Sequence, residues 1–110
     1  MLFTKIILLR ANINSGLDKY EEAISDYNQA IDLNPYDYFA YLDRGSVHRN
    51  LEQYQNAIED FSLAIKLEPK TFSSGYVNRT YAYELKGDYQ KAIRDYTVAI
   101  NFEPNIISFR

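Results

Sequence analysis

Three arginines and three aspartates share one spacing. Arg10, Arg44 and Arg79 each stand sixteen residues before Asp26, Asp60 and Asp95. Guanidinium and carboxylate groups in such a series could present a row of charges to a ligand, or join two elements of a repeating unit through forked ion pairs. A residue that recurs once per unit ordinarily serves the unit, so the structural role is expected, one that sets geometry more than it adds stability. His48 is the single histidine. It could act as a base or a ligand, but no second histidine, no cysteine and no matching acid motif accompanies it, and packing is the expected role. The glycine-rich phosphate loops, the nucleophile elbow and the paired-histidine zinc helix are all absent from the sequence. Carboxylates such as Glu21, Glu22, Glu59 and Asp60 fall on amphipathic helical stretches, where a solvated face is the ordinary reading. Nothing nominates a catalytic residue, a metal ligand or a cofactor, and the chain is not expected to be an enzyme.

The elements that carry these residues recur. Ala30-Ile31-Asp32-Leu33-Asn34-Pro35 returns as Ala64-Ile65-Lys66-Leu67-Glu68-Pro69 and as Ala99-Ile100-Asn101-Phe102-Glu103-Pro104, with the prolines 34 and then 35 residues apart. Ala23, Ala57 and Ala92 are in register, as are Tyr20, Tyr54 and Tyr89. A period of this length marks a stacked helical array. The first unit spans about 4–37, with helices expected over about 4–14 and 19–33. Ser15-Gly16-Leu17 is read as the break between them, and Asp18 with Glu21 as a capping box. In the second helix Tyr20, Ala23, Ile24, Tyr27, Ala30 and Ile31 fall on one face. The second unit, 38–71, is predicted to hold helices over 38–50, capped by Asp37, and 54–67. The third, 73–106, is predicted to hold helices over 74–86 and 89–102, the extra residue falling in the loop 70–75, with 107–110 a tail. The whole chain, 1–110, reads as one array.

The pattern resembles the tetratricopeptide repeat. The central unit matches through Tyr41, Gly45, Tyr54, Ala57, Phe61, Ala64 and Pro69, with His48 where the family usually has tyrosine and Arg44 where it has leucine. The third unit matches through Tyr76, Tyr83, Gly87, Tyr89, Ala92, Tyr96, Ala99 and Pro104, with Thr80 replacing the small glycine. The first matches through Ala11, Ala23, Tyr27, Ala30 and Pro35. The resemblance implies an all-α fold of three tandem helix-turn-helix units stacked as a right-handed solenoid. Gly45 is expected where the two helices of its unit come closest, opposite Ala57.

The resemblance also implies a function. In the family the first helix of each unit lines a concave groove that recognises a protein partner. Carried over by position, the groove comprises Leu8, Asn12, Phe39, Leu42, Asp43, Ser46, Arg49, Val77, Asn78, Tyr81 and Glu84. These residues differ between units, as a binding surface on a repeated scaffold should. Chaperone-binding members grip a terminal carboxylate with lysines, asparagines and an arginine; the corresponding positions here are Leu8, Asn12, Asp43, Ser74 and Asn78. Only Asn12 fits, and Asp43 would repel a carboxylate. A protein or peptide partner is therefore expected, but not a chaperone tail. The alternatives are self-association through exposed terminal helices and service as an accessory domain of a larger enzyme.

Composition narrows the classes further. The 110 residues carry 46% hydrophobic residues, enough for about one folded domain. With no cysteine there is no disulfide framework or thiolate site. A net charge of −3 with both signs interspersed argues against nucleic acid as a partner. No apolar run reaches the ~18 residues of a membrane span, and MLFTKIILLR is interrupted by Arg10, so neither a signal peptide nor a membrane partner is expected and the location is read as cytoplasmic. Ile93, Val98, Ile100 and Phe102 are expected to be partly exposed, because nothing after them reads as a polar covering helix.

Overall fold

A computed structural model describes residues 2–68 and 74–102. Among these there are six helices and no strand: α1 Leu2–Gly16, α2 Tyr20–Leu33, α3 Tyr38–Asn50, α4 Tyr54–Leu67, α5 Ser74–Lys86 and α6 Tyr89–Phe102. Each odd-numbered helix packs against the even-numbered helix that follows it, and each pair against the next. Pro69, Pro104, residues 70–73 of the loop and the tail after Phe102 lie outside the described residues.

Amphipathic second helices drive the stacking. In α2 the buried side is Ala23, Asp26, Tyr27, Ala30 and Ile31; in α4 it is Ala57, Ile58, Asp60, Phe61 and Ala64. Two clusters form the core. One joins Ala11, Ala23, Tyr27 and Val47 across the first junction. The other joins Ile31, Tyr41, Leu42, Ile58, Phe61, Ala82, Tyr83 and Ala92, among others, from the five successive helices α2 to α6. Covering such side chains from water contributes about 1.5–3 kcal/mol for each large residue.

The first hairpin departs from expectation. Helix α1 runs through Ser15 and Gly16 rather than ending at Asn14, and Asp18 is not an N-cap. Asp18 adopts φ 61°, in the left-handed region. Its N–H donates to Ser15 O at 3.0 Å, and the Lys19 N–H reaches back to Asn14 O at 2.8 Å. That pair of bonds closes a helix C-terminus, so Asp18 ends α1 instead of starting α2. Its carboxylate accepts from the Tyr20 hydroxyl at 2.9 Å. The same turn recurs in register at Glu52 (φ 62°) and Gly87 (φ 93°). There Gln53 N–H donates to His48 O at 2.8 Å and Asp88 N–H to Tyr83 O at 2.9 Å. Only Gly87 occupies this region without a Cβ penalty. Asp37 does cap α3, accepting from Phe39 N–H at 3.1 Å.

Gly45 is buried where α3 meets α4, and the atoms nearest to it belong to Phe61 and Asp60 rather than Ala57. A Cβ there would lie 2.6 Å from Phe61 Cε1 and 3.1 Å from Asp60 Cβ. The glycine makes room for the Phe61 ring, one helical turn beyond Ala57. In the third unit Thr80 fills the corresponding place, with its hydroxyl donating to Ala92 O at 3.4 Å, and Tyr96, in register with Phe61, is exposed.

Two stability measurements follow. Gly45→Leu is expected to cost about 2–3 kcal/mol by overpacking against Phe61, read as a lower midpoint in urea; an unchanged midpoint would contradict the close approach. Glu52→Gly is expected to stabilise by about 0.5–1 kcal/mol, because it removes a side chain from the left-handed turn, and a lowered thermal midpoint would contradict this reading.

Candidate peptide-binding groove

The Arg–Asp series is built into the stack. Arg44 forks onto Asp60, Nε to Oδ2 at 2.9 Å and Nη2 to Oδ1 at 2.8 Å. Arg79 does the same to Asp95 at 2.6 and 2.8 Å, and Arg10 to Asp26 at 3.0 and 2.7 Å. The remaining nitrogen of each internal arginine crosses to the preceding unit: Arg44 Nη1 donates to Asn28 Oδ1 at 2.8 Å and Arg79 Nη1 to Ser62 Oγ at 2.9 Å. Asn28 and Ser62 are 34 residues apart. That register was a signal in the sequence which the Arg–Asp pairing overshadowed. The aspartates are buried, and the side chains of Arg44 and Arg79 are mostly covered while that of Arg10 is open. Hydrogen bonding to its aspartate raises the affinity of each guanidinium for its proton. His48 is enclosed as well, with Nδ1 2.8 Å from Gln53 Oε1 and Nε2 3.8 Å from Asp60 Oδ2.

The first helices lie side by side, α1 touching α3 and α3 touching α5. They carry the residues predicted for a groove. Asn12, Phe39, Tyr81 and Glu84 are exposed, and Leu8, Asp43, Ser46, Arg49, Val77 and Asn78 are half-buried. Leu42 is a correction: it is buried in the core cluster and contributes packing, not a recognition surface. Leu8 is shared between the two clusters. Asn12 accepts from the Tyr27 hydroxyl, whose burial together with the charge of Asp43 raises its pKa. Ser46 donates to Leu42 O at 3.1 Å, and Arg49 Nη1 lies 3.5 Å from Asn78 Oδ1. Tyr38 and Phe39 stack at 4.4 Å between centroids.

Asp43 is the unusual group. It has no hydrogen bond and no ion pair within the described residues, and burial followed by the charge of Asp37 raises its pKa to about 6. Among the described residues no cluster of three or more His, Cys, Asp or Glu side chains could hold a metal ion. Among the described residues no helix is long and apolar enough to cross a membrane. A second concavity was only partly legible in the sequence. It is an apolar groove of about 620 Å³ between α5 and α6, lined among others by Val77, Tyr81, Tyr89, Ile93, Tyr96, Thr97 and Ile100.

Asp43 makes stability depend on pH in a defined sense. Its folded pKa stands above the ordinary carboxylate value, so ionisation opposes folding. The cost is fully present above about pH 6 and fades as pH falls from there toward the ordinary value. A shift of this size corresponds to about 3 kcal/mol, and contact with solvent reduces the expected cost to about 1–2 kcal/mol. Asp43→Asn is accordingly expected to be more stable than the parent at pH 7.5 and equal to it at pH 4. A variant destabilised at both pH values would contradict this.

Comparison with known proteins places the chain. Sequence profiles described as tetratricopeptide repeat match residues 38–71, and residues 4–37 together with 73–106. No curated protein matches by sequence. Solved structures do. The first TPR of Spaghetti (RPAP3), bound to the HSP90 peptide SRMEEVD, is 26% identical with TM-score 0.87, the match covering 93% of this chain and 80% of that one. The Sgt2 TPR domain from Aspergillus fumigatus is 25% identical with TM-score 0.88, over 96% and 69% of the two chains. The Arabidopsis OM64 TPR domain shares the fold at 24% identity and TM-score 0.86, over 93% and 84%. With the family profiles matching nearly the whole sequence and six helices paired as those structures pair theirs, the chain belongs to the tetratricopeptide repeat family.

Proposed function

We propose that the protein is an interaction scaffold that binds a segment of a partner protein, an extended peptide or a helix, in the groove along α1, α3 and α5. The observation that carries this reading is the contrast between two sets of residues in the same helices. Arg10, Arg44 and Arg79 repeat and are consumed by the stack, whereas the positions occupied by Leu9, Asp43 and Asn78, or by Asn12, Ser46 and Tyr81, vary from unit to unit. A scaffold that repeats its joints and varies its face supplies several distinct subsites to one ligand. Affinity would come from Phe39, Val77 and Tyr81 as apolar anchors, with Asn12, Arg49 and Glu84 fixing register.

Binding of an HSP90 peptide by the RPAP3 domain supports a peptide as the class of ligand. The residues here favour a different peptide. Asp43, with no hydrogen bond or ion pair among the described residues and partly withdrawn from water, repels a terminal carboxylate and would be relieved by a lysine or arginine. Leu8 and Ser74 supply no cation to hold a carboxylate.

Selection from a displayed random-peptide library tests this reading. The expected outcome is a set of binders that carry a basic residue, tolerate amidation of their C-terminus, and are lost with Arg49→Glu combined with Tyr81→Ala. In parallel, titration calorimetry with SRMEEVD is expected to give no saturable heat. A dissociation constant near ~1 μM, about −8 kcal/mol, would contradict the assignment.

A further inference from the structure

The buried ring of the first unit carries a group that the scaffold does not require. Tyr27, Phe61 and Tyr96 are in register on the second helices. Phe61 is 0% exposed and fills its place with no hydroxyl, so enclosure asks for a ring and nothing more. Tyr27 is 1% exposed yet keeps a hydroxyl, which needs a partner once it is withdrawn from water. A phenylalanine in its place would remove that need at little cost. The hydroxyl finds its partner outside the core. It donates to Oδ1 of Asn12, an exposed residue of α1 that belongs to the proposed groove. Burial, and after it the charge of Asp43, raises the pKa of Tyr27, so the hydroxyl holds its proton and acts as the donor.

This bond decides which end of the Asn12 amide meets a ligand. Its oxygen is turned toward α2, and Nδ2 has no acceptor among the described residues. The other units hold no such arrangement. Ser46, in register with Asn12, donates to its own helix at Leu42 O, 3.1 Å away, and the third unit has no enclosed ring, Tyr96 being exposed. Asp43 stands close by on α3. Its charge bears on the Tyr27 hydroxyl, and Val47, one turn further along α3, shares a core cluster with Tyr27. The α1–α3 end of the groove therefore offers fixed amide donors beside an anion that has no hydrogen bond or ion pair among the described residues.

A ligand atom that accepts from Asn12 must also tolerate Asp43. A carboxylate does not, because like charges in a partly desolvated place repel. A neutral carbonyl does, and it leaves Asp43 free to receive a cation. We infer that Tyr27 is a positioning residue of the groove, holding Asn12 as a donor to an uncharged main-chain carbonyl inside the partner segment while Asp43 takes a neighbouring lysine or arginine. The inference rests on the groove reading above. It adds to that reading an internal carbonyl as the group recognised and a buried residue of α2 as the part that aims the donor.

The test follows the backbone amide of Asp43 by NMR at neutral pH while the full chain is titrated with acetyl-lysine methylamide, a probe with neutral carbonyls and an ammonium group. Saturable shifts are expected. Acetyl-lysine, which ends in a carboxylate, and acetyl-norleucine methylamide, which lacks the ammonium, are each expected to bind at least ~threefold more weakly. Tyr27→Phe, which keeps the ring, is expected to weaken the probe about threefold to tenfold, the range of one hydrogen bond. Asn12→Ala, on the surface, is expected to do the same, and adding Tyr27→Phe to it is expected to change nothing further. No saturable shift, equal binding of acetyl-lysine, no effect of Tyr27→Phe, or an undiminished effect of Tyr27→Phe on top of Asn12→Ala would each overturn the inference. Should Tyr27→Phe fail to fold, Asn12→Ala and the two control compounds still decide. Displayed peptides lost with Arg49→Glu combined with Tyr81→Ala, but bound by Tyr27→Phe as by the parent, would overturn this inference and leave the groove standing. A parent chain that selects no peptide would overturn the groove and this inference with it.

Discussion

One guanidinium shared among three oxygens sets the geometry of the stack. Arg44 takes both carboxylate oxygens of Asp60 on the neighbouring helix of its own unit and an amide oxygen of Asn28 on the unit before; Arg79 does the same with Asp95 and Ser62. A rigid planar fork held at three points fixes both the tilt within a hairpin and the step between hairpins, which a greasy interface alone would leave free to slide. The arrangement demands that the aspartates be buried, and a buried carboxylate is tolerated only while its partner stays in place. The apolar contacts supply most of the favourable free energy, and the ionic joints choose which packing of those contacts is realised.

Around this joint the packing is allowed to vary. Glycine faces a phenylalanine ring in the second unit, alanine accompanies Tyr27 in the first, and threonine stands in the third, where the aromatic residue is no longer enclosed. Alanine and glycine both leave the ring enclosed, and only in the third unit, with Thr80 at the small position, is the ring exposed. The third unit, where the ring is exposed, also presents the open apolar groove, which Tyr96 helps to line.

Much of the fold was legible because the signals were redundant. The bounds of α3, α4, α5 and α6 follow from apolar periodicity bracketed by turn residues and prolines, each signal repeated in register. The first hairpin misled because Asp18 satisfies two local rules, that of an N-cap and that of a polar residue tolerated at positive φ; its alignment with Gly87 was the deciding clue. The site was less legible. Position within a repeat says which helix a residue is on, but Leu42 shows that it does not say how deep the side chain goes, which depends on neighbours two helices away. The strain at Asp43 was visible only as a charge out of place; its burial needed the structure.

The concave face and the α6 face thus differ in kind. One is assembled from residues the scaffold leaves unconstrained; the other presents Ile93 and Tyr96, which are in register with residues buried in the second unit. Both depend on the joint holding its shape, which a double-mutant cycle on Arg44 and Asp60, by urea denaturation at low and high salt, measures directly. A coupling energy of about 1.5–3 kcal/mol that persists in ~1 M NaCl is predicted for a pair shielded from solvent. A coupling below about 0.5 kcal/mol, or one erased by salt as at an exposed surface pair, would contradict it.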